Sequence, residues 1–270
     1  MMELDNPKTR KLKNILEAVG SVLVSFSGGV DSALLLHVAA EILKEKARAA
    51  TLVSPIFPKN DLIRAENLTE ELGVAHARLT FDILSDRDFL RNDGMRCHFC
   101  KLKMIEGLKD EAKRQGLDSV IDGSNLDDTK DYRPGLDVAQ KAGISSPLME
   151  AGFTKEDIRK EAKRRKIKTW STPSSACLAS RIAFGTPITV EDLSRVDKGE
   201  EMLHQLGFEE VRIRYHPPIA RIEVSTEQIT RLAQAPFRDT VAKALKDLGF
   251  TYVTLDLSGF RSGSMNALLS

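Results

Sequence analysis

The chain carries little cysteine, almost no net charge, no long apolar run and no repeat, and each lack excludes a class of protein. Only three of its 270 residues are cysteine. That is an odd number and too few for a disulfide scaffold, so a reducing compartment is expected, with the thiols serving a metal, a cluster or redox chemistry. Forty Lys and Arg stand against thirty-nine Asp and Glu, a formal charge of +1 with His neutral. This balance argues against a global polyanion binder such as a nucleic-acid-coating protein, although a local basic patch remains open. No apolar stretch approaches the roughly 18 residues of a membrane span. The beginning, MMELDNPKTRKLKN, is charged and holds no apolar core of a signal peptide, so a soluble cytoplasmic protein is expected. With 41% apolar and 29% charged residues, the composition is that of an ordinary globular protein, not of a disordered tail or a fibre.

What is present alternates. Residues 8–18 read as an amphipathic helix, 21–26 as a buried strand and 31–43 as a helix. Strand 49–53, helix 59–72 ended by Gly73, strand 75–81, helix 102–114, strand 119–122 and helix 154–165 follow, the last with Thr154 and Asp157 spaced as a capping box. Such alternation predicts a doubly wound parallel α/β sheet covered on both faces. The texture changes after Trp170 to STPSSACLASRIAFGTPIT, rich in Ser, Thr, Pro and Ala. A second, α+β pattern then runs through a helix capped by Thr189 and stopped by Gly207, strands at 210–215 and 221–224, a helical stretch 226–248 broken near Pro236, and a strand at 252–257. The expected organisation is a nucleotide domain at 1–170, a cysteine-bearing linker at 171–185 and a smaller domain at 186–270. Alternation within the two strands of that smaller domain predicts that they are half exposed and antiparallel.

The motif with the clearest chemistry is SGGVDS at 27–32, between an apolar strand and an apolar helix. Gly28 and Gly29 let main-chain N–H groups approach an anion, and the helix N-terminus adds about half a positive charge. Ser27 and Ser32 offer hydroxyls to phosphate oxygens, and Asp31 is a candidate Mg²⁺ ligand. No Gly-Lys-Ser/Thr follows, so this is not a Walker A loop. The bland alternative is a tight strand–helix turn with a serine cap. DGSNLDD at 122–128 directly follows a strand, which puts Asp122 and Asn125 at the carboxyl edge where open α/β sheets bind ligands. Lys101 follows Cys100 and would neutralise phosphate charge or simply be exposed.

SGGVDS in this context resembles the PP-loop of the ATP pyrophosphatase (adenine nucleotide alpha hydrolase-like) superfamily, whose members split ATP between the α and β phosphates and adenylate an oxygen of the substrate. SPL at 146–148 before the helix with Thr154 to Arg159 is another of its patterns. The resemblance sharpens with DYRPG at 131–135, the segment from Cys177 to Arg181, VRIRYH at 211–216, ARIE at 220–223 and LDLSGFRSG at 255–263. Together these resemble the LarE family, the ATP-dependent sulfur insertases of nickel-pincer nucleotide biosynthesis, from about residue 15 to Asn266. The resemblance implies ATP with Mg²⁺ as cofactor, adenylation of a carboxylate of pyridinium-3,5-dicarboxylic acid mononucleotide, and displacement of AMP by sulfur to give a thiocarboxylate. A second round would give the dithio product from which the lactate racemase cofactor is made. It further implies a small-molecule nucleotide substrate, a sulfur donor, transient contact with other proteins of that pathway, and a homo-oligomer such as the hexamer of the family pattern.

Residue types suit that task. Arg212 and Arg214 share one face of a strand and would grip a phosphate or carboxylate, against the bland reading of a solvated strand face. Ser180 and Arg181, beside Cys177, are further substrate-binding candidates. Glu200 and Glu223 match acidic family positions associated with divalent metal between subunits; without the resemblance they read as surface charges. Asp256 and Arg261 lie in a family motif and receive no role. Cys97 and Cys100 form a Cys-x-x-Cys ahead of the helix expected from Leu102, and Cys177 lies in the linker. Three thiolates would hold a [4Fe-4S] cluster and leave one iron open to carry the sulfur for transfer. A second family type has a single sacrificial cysteine at the Cys177 position, and the extra pair here points away from it. Zinc held with His98, a persulfide relay through Cys97 and Cys100, and an inert pair stay open, as do tRNA thiolation and a redox sensor with a vestigial nucleotide site.

Overall fold

In the computed structural model the described residues are 6–129, 134–173, 175–261 and 263–265. In chain order they form α1 (Pro7–Val19), β1 (Val22–Ser25), α2 (Val30–Leu43), β2 (Ala47–Val53), α3 (Lys59–Leu72), β3 (His76–Thr80), α4 (Arg87–Leu90), α5 (Arg96–Arg114), β4 (Ser119–Ile121), α6 (Pro134–Lys141), α7 (Pro147–Glu150) and α8 (Lys155–Arg164). These are followed by α9 (Val190–Gln205), β5 (Val211–His216), β6 (Ile219–Val224), α10 (Ile229–Ala233), α11 (Phe237–Asp247) and β7 (Tyr252–Leu255). The chain divides into two units: Met1–Ser54, Lys59–Ile83 and Cys97–Ser175 in one, Pro55–Pro58, Leu84–Arg96 and Ala176–Ser270 in the other. Three of the family-like residues, Asp131, Tyr132 and Arg133, together with Ser262 and Asn266, lie outside the described residues.

The first unit is an α/β layer structure on a four-stranded parallel sheet in the order β3-β2-β1-β4. Alternation along β1 sends Val22 and Val24 to one face and Leu23 to the other. On the first face they meet α1, α2 and α8 through Leu12, Leu16, Leu34 to Leu36, Ile158 and Ala162. On the second, Leu23 and Val120 meet α5 and α6 through Ile105, Leu108, Ala112 and Val138. Helix α2 is buried at almost every position from Val30 to Ala39, which explains a helix apolar all round rather than amphipathic. Strands β1 and β4 are neighbours whose onward connections leave in opposite directions, so the carboxyl edge between them is the topological switch point where such sheets bind ligands.

Helix starts follow the expected chemistry where a cap exists. Thr154 and Asp157 form a reciprocal capping box at α8, and Thr189 Oγ1 accepts from the Asp192 N–H (3.1 Å) at α9. Helix α5 differs: it begins at Arg96, six residues before the expected start at Leu102. The Asp93 carboxylate accepts from the Met95 N–H (2.9 Å), and Arg96 N–H donates to the Asp93 carbonyl (3.1 Å), so the turn is already wound there. The stretch from Cys97 to Lys101 is exposed or half-buried, and a helical turn that buries little leaves no apolar period to read.

In the second unit β5 and β6 are antiparallel, with Arg212 opposite Glu223 and Arg214 opposite Arg221. Strand β7 adds to β6 in parallel and ends at Leu255, two residues short of the expected limit. The expected helical stretch 226–248 is instead a short turn, α10 and α11, parted around Pro236. The strands are not half exposed. Val211 to Tyr215 are all buried, as are Ala220 and Ile222 to Val224. The 176–183 segment extends the β5 edge, where Ile182 bridges to Tyr215 and Ala183 N–H donates to the Tyr215 carbonyl (3.0 Å), while Ser180, Phe260 and Ser264 lie against Arg214, Arg212 and Glu223. Charged side chains on the covered face are therefore paired rather than solvated.

Candidate active site

At the carboxyl end of β1 the chain turns through Ser27, Gly28 and Gly29 into α2. Gly28 has φ 71°, in the left-handed region, and a Cβ there would lie 3.0 Å from the Ala65 nitrogen and the Asp61 carbonyl of α3. Glycine is thus required both by conformation and by the close approach of α3. Gly29 is the N-cap of α2 and no side chain caps it, which leaves the helix N-terminus with main-chain donors and partial positive charge for an anion. The hydroxyls of Ser27 and Ser32 face each other at 3.2 Å, and Ser32 Oγ also donates to the Gly29 carbonyl (3.2 Å). Beneath the loop, the Thr51 hydroxyl donates to the Phe26 carbonyl (2.8 Å) and meets His76 Nε2 at 2.7 Å, while His76 Nδ1 meets Thr69 Oγ1 at 3.2 Å. Burial holds His76 below the usual imidazole pKa, with Arg78 adding to the effect and Glu66 opposing it. Arg64 Nε donates to the Gly28 carbonyl (3.2 Å) and pairs with Asp61.

The end of β4 meets the loop directly. A Cβ on Gly123 would fall 2.9 Å from the Ser32 nitrogen and 3.1 Å from its Cα, so only glycine lets the two segments pack. Buried Asp122 accepts from the Ser146 hydroxyl (2.7 Å) and the Ser124 N–H (3.1 Å), and pairs with Lys101 Nζ at 3.3 Å. This places the SPL segment and the cysteine-bearing helix α5 on one carboxylate. Buried Asn125 shapes the rest of the turn, donating N–H to Asp128 Oδ2 (2.9 Å) and accepting from the Asp127 N–H (3.0 Å). Lys155, first residue of α8, donates its N–H to Asp127 (2.8 Å) and places its ammonium on Asp31 Oδ2. The second oxygen of Asp31 is buried and has no hydrogen-bond partner. That orphaned acceptor, on the first turn of the helix that follows the phosphate loop, fits a hard divalent cation, which prefers oxygen ligands. Ser27, Gly28, Gly29, Asp31, Ser32, Lys101, Asp122 and Asn125 thus belong to one edge. Lys155 was missed in the sequence, although its place directly after the capping threonine marked it as the first helical residue facing back toward the edge.

Cys97, Cys100 and Cys177 are thiols. Cys97 and Cys100 occupy the first turn of α5 three residues apart, hence on one side of it, Cys97 exposed and Cys100 half-buried with its sulfur 3.9 Å from Met104 Sδ. In the other unit half-buried Cys177 is the N-cap of the turn Leu178–Arg181. Its carbonyl accepts from the Ser180 hydroxyl (2.7 Å) and from Arg181 Nη1 (3.0 Å), and Arg96 donates to the Ala179 carbonyl (2.9 Å). Ser180 and Arg181 therefore fix the backbone that carries the thiol. Among the described residues no three His, Cys, Asp or Glu side chains are grouped to hold a metal ion. What fits an iron–sulfur group is the donor chemistry: three soft thiols, two of them at the spacing of one helical turn. His98 is half-buried, its ring edge-on to Phe99.

The acidic and basic residues of the second unit are arranged differently from the sequence expectation. Glu200 and Glu223 are buried, not surface charges. Fully buried Arg181 grips Glu200 bidentately at 3.0 Å and 3.0 Å, and Glu200 also accepts from the Ile213 N–H (2.9 Å). Glu223, fully buried, takes Arg214 (2.9 Å) on one oxygen, and Arg221 (3.2 Å) and the Ser264 hydroxyl (2.7 Å) on the other. Within the chain, strand burial makes arginine the counter-charge of each carboxylate, which replaces the reading of two surface charges. Arg214 is committed to Glu223, whereas Arg212 lies over the Phe260 ring at 5.3 Å. Burial first, then Arg181, lowers the Arg212 pKa to about 10, which still leaves a cation at pH 7. Asp256 pairs with Arg221; burial opposes its charge, but the Ser258 N–H and Arg221 keep the carboxyl below its usual range. Arg261 is exposed.

The asparagine synthase family model matches residues 10–91, which include the phosphate loop. Across almost its whole length the chain is similar to three curated proteins. It is 38% identical over 264 residues, 97% of this chain and 95% of the relative, to the pyridinium-3,5-bisthiocarboxylic acid mononucleotide synthase of Lactiplantibacillus plantarum. An uncharacterized protein of Synechocystis is 37% identical over 263 residues (96% of this chain, 98% of the relative). Another, from Methanocaldococcus jannaschii, is 29% identical over 263 residues, 97% of each. No helix among the described residues is long and apolar enough to cross a membrane.

Proposed function

The chain belongs to the pyridinium-3,5-bisthiocarboxylic acid mononucleotide synthase family, and from that premise we propose that it inserts sulfur into the carboxylates of pyridinium-3,5-dicarboxylic acid mononucleotide. It is an ATP-dependent sulfurtransferase of the PP-loop class. The observation that carries the substrate assignment is the end-to-end likeness to a synthase of the dithio product, across both units rather than in the nucleotide loop alone.

A carboxylate is a poor electrophile, so a leaving group must be installed before a soft nucleophile attacks. One carboxylate oxygen of the substrate would attack the α-phosphorus of ATP, the α–β bond would break, and pyrophosphate would leave. Main-chain donors at Gly28, Gly29 and the start of α2, with the Ser27 and Ser32 hydroxyls, hold the phosphates, and Asp31 would hold Mg²⁺. Lys101 and Lys155 supply positive charge where negative charge develops on the leaving pyrophosphate. Asp122 and Asn125 keep the β4 turn in the shape that faces the loop. Sulfide sulfur then forms a bond to the acyl carbon while the bond to the AMP oxygen breaks, giving a thiocarboxylate, AMP and a proton. In this reading Cys97, Cys100 and Cys177 would hold a [4Fe-4S] cluster, which would supply the sulfur as a carried sulfide. Arg212, buried yet charged, holds the substrate phosphate or its second carboxylate. Arg214, saturated by Glu223, acts by fixing the strand beside it and by donating to the Ser180 carbonyl (3.3 Å). A homo-oligomer in the cytoplasm belongs to the same reading, as do a separate sulfur donor and transient contacts within the nickel-pincer pathway.

The test is pyrophosphate release from ATP without RNA. The reading expects release that depends on the pyridinium dicarboxylate nucleotide. Release stimulated only by tRNA would overturn it in favour of tRNA thiolation, and no hydrolysis under any condition would favour a sensor. Iron and sulfide analysis after anaerobic reconstitution tests the cluster: the C97S, C100S and C177S variants are each expected to lose it. If a C97S/C100S double variant still makes product once per chain, sulfur comes from Cys177 itself.

A further inference from the structure

We infer that the Lys155 ammonium is a placeholder for the divalent cation at Asp31, keeping that carboxylate closed to metal until nucleotide arrives. The inference rests on the reading that the 27–32 loop binds ATP with a divalent cation, and it adds how that binding is ordered.

Lys155 is pinned at its backbone and loose at its tip. Its N–H donates to Asp127 Oδ2 (2.8 Å), and it is the first residue of a helix whose capping box joins Thr154 and Asp157. Asp157 is itself held by Lys8 at 2.5 Å, which anchors that end of α8 against α1. The Lys155 Cα is therefore fixed over the β4 turn, while its flexible four-carbon stem lets the ammonium reorient. Nζ rests on Asp31 Oδ2, with both side chains partly exposed, 30% for Lys155 and 25% for Asp31. An ion pair that water reaches in part is weaker than a fully buried one, and its ammonium can be exchanged for another cation. Asp31 Oδ1, by contrast, is buried with no donor. One oxygen of the carboxylate is thus masked by a removable cation and the other is already poised as an acceptor, the state expected of a ligand whose full partner is a metal ion rather than a lysine.

When nucleotide enters, the carboxylate exchanges one cation for another. Metal takes the Asp31 oxygens, and the displaced ammonium gains a better acceptor in a phosphate oxygen beside the same loop. No charge is left unpaired at either stage. Without nucleotide the ammonium gives up the Asp31 carboxylate without gaining a phosphate, so metal alone binds less tightly. This predicts that divalent cation and nucleotide bind together, and that removing the lysine uncouples them.

The experiment measures Mn²⁺ binding to the full chain without nucleotide, from the loss of the free Mn²⁺ signal in electron paramagnetic resonance. A masking pair closed about nine-tenths of the time lowers apparent affinity about tenfold. Lys155→Met is therefore expected to bind Mn²⁺ about tenfold more tightly than the unaltered chain, and Lys155→Arg, which keeps the charge, to behave as the unaltered chain does. Adding Asp31→Asn to Lys155→Met should abolish the gain. Lys155→Gln, polar at the same partly exposed position, repeats the measurement if the methionine variant fails to fold. Equal Mn²⁺ affinity with and without the lysine, in a folded variant, overturns the inference, as does a gain that survives Asp31→Asn. Mg-ATP binding by the unaltered chain, followed by calorimetry, separates the two readings: its absence overturns the nucleotide reading and the exchange with it. Normal Mg-ATP binding with no Mn²⁺ gain overturns the exchange alone.

Discussion

Replacing Glu200 by alanine removes the counter-charge of an arginine that water cannot reach. Arg181 is 1% exposed and Glu200 6%, and the two share a bidentate pair at 3.0 Å on both arms. In the variant the guanidinium keeps the Ala176 carbonyl (2.6 Å), the Cys177 carbonyl (3.0 Å) and the Ser180 hydroxyl (3.1 Å), but these are dipoles and do not cancel its charge. Breaking one side of a buried pair costs about 3–5 kcal/mol. The Ile213 N–H loses its acceptor as well, a further penalty of about 1–3 kcal/mol that overlaps with the first because both fall on one carboxylate. A loss of about 4 kcal/mol is expected. Glu200→Gln keeps the shape and an acceptor for Ile213, and should lose about half of that. Replacing both partners, as Arg181→Met with Glu200→Met, removes the unpaired charge and should recover most of the loss. Urea unfolding of the full chain, followed by far-ultraviolet circular dichroism, reads each difference. A cost below about 1 kcal/mol for Glu200→Ala would refute the reasoning, because a pair that weak is characteristic of exposed charges. A chelator that destabilises the unaltered chain but not Glu200→Gln would also refute it, by showing that Glu200 serves a metal.

Other consequences are open to direct measurement. Gly123→Ala forces a Cβ to within 2.9 Å of the Ser32 nitrogen, where main chain must shift; a stability loss of about 1–3 kcal/mol is expected, with a reduced thermal shift on adding Mg-ATP. Glu161 is buried, which alone would raise its pKa, yet hydrogen bonds from Arg164 and Arg165 bring it from 4.5 down to about 2. Its folded pKa lies below the unfolded one, so its stabilisation is present above pH 4.5 and is lost as pH falls towards 2. Glu161→Gln should therefore lower stability at pH 7 and flatten the acid limb of the unfolding profile; an unchanged limb would count against the pairing. Arg212→Lys keeps charge but loses the planar stack on Phe260, and is expected to raise the substrate KM while leaving ATP affinity within about twofold.

Local chemistry was legible without a structure. The order of strands and helices in the first unit follows from hydrophobic period and caps, since Thr154 with Asp157 and Thr189 act on main chain a few residues away. The phosphate loop could be read for the same reason: Gly28, Gly29 and Ser32 do their work within one strand–helix turn. Only the start of helix α5 escaped, because Cys97 to Lys101 bury little and a helical turn without a buried face carries no period. The strands of the second unit read as half exposed because alternating charge cannot report that a later-packed segment will cover it.

By itself, then, the sequence determined the parallel α/β order, the anion-binding turn, the three thiols and the family resemblance, all properties of neighbouring residues. Tertiary structure alone decided which charges pair. It put Lys155 on Asp31 across 124 positions, Lys101 on Asp122, Arg181 on Glu200 and Arg214 on Glu223, and it made a buried glutamate a partner of arginine instead of a surface charge. The physical reason is burial: a carboxylate keeps its charge in water alone, but inside a fold it must find a cation, and which cation it finds depends on what the folded chain brings beside it.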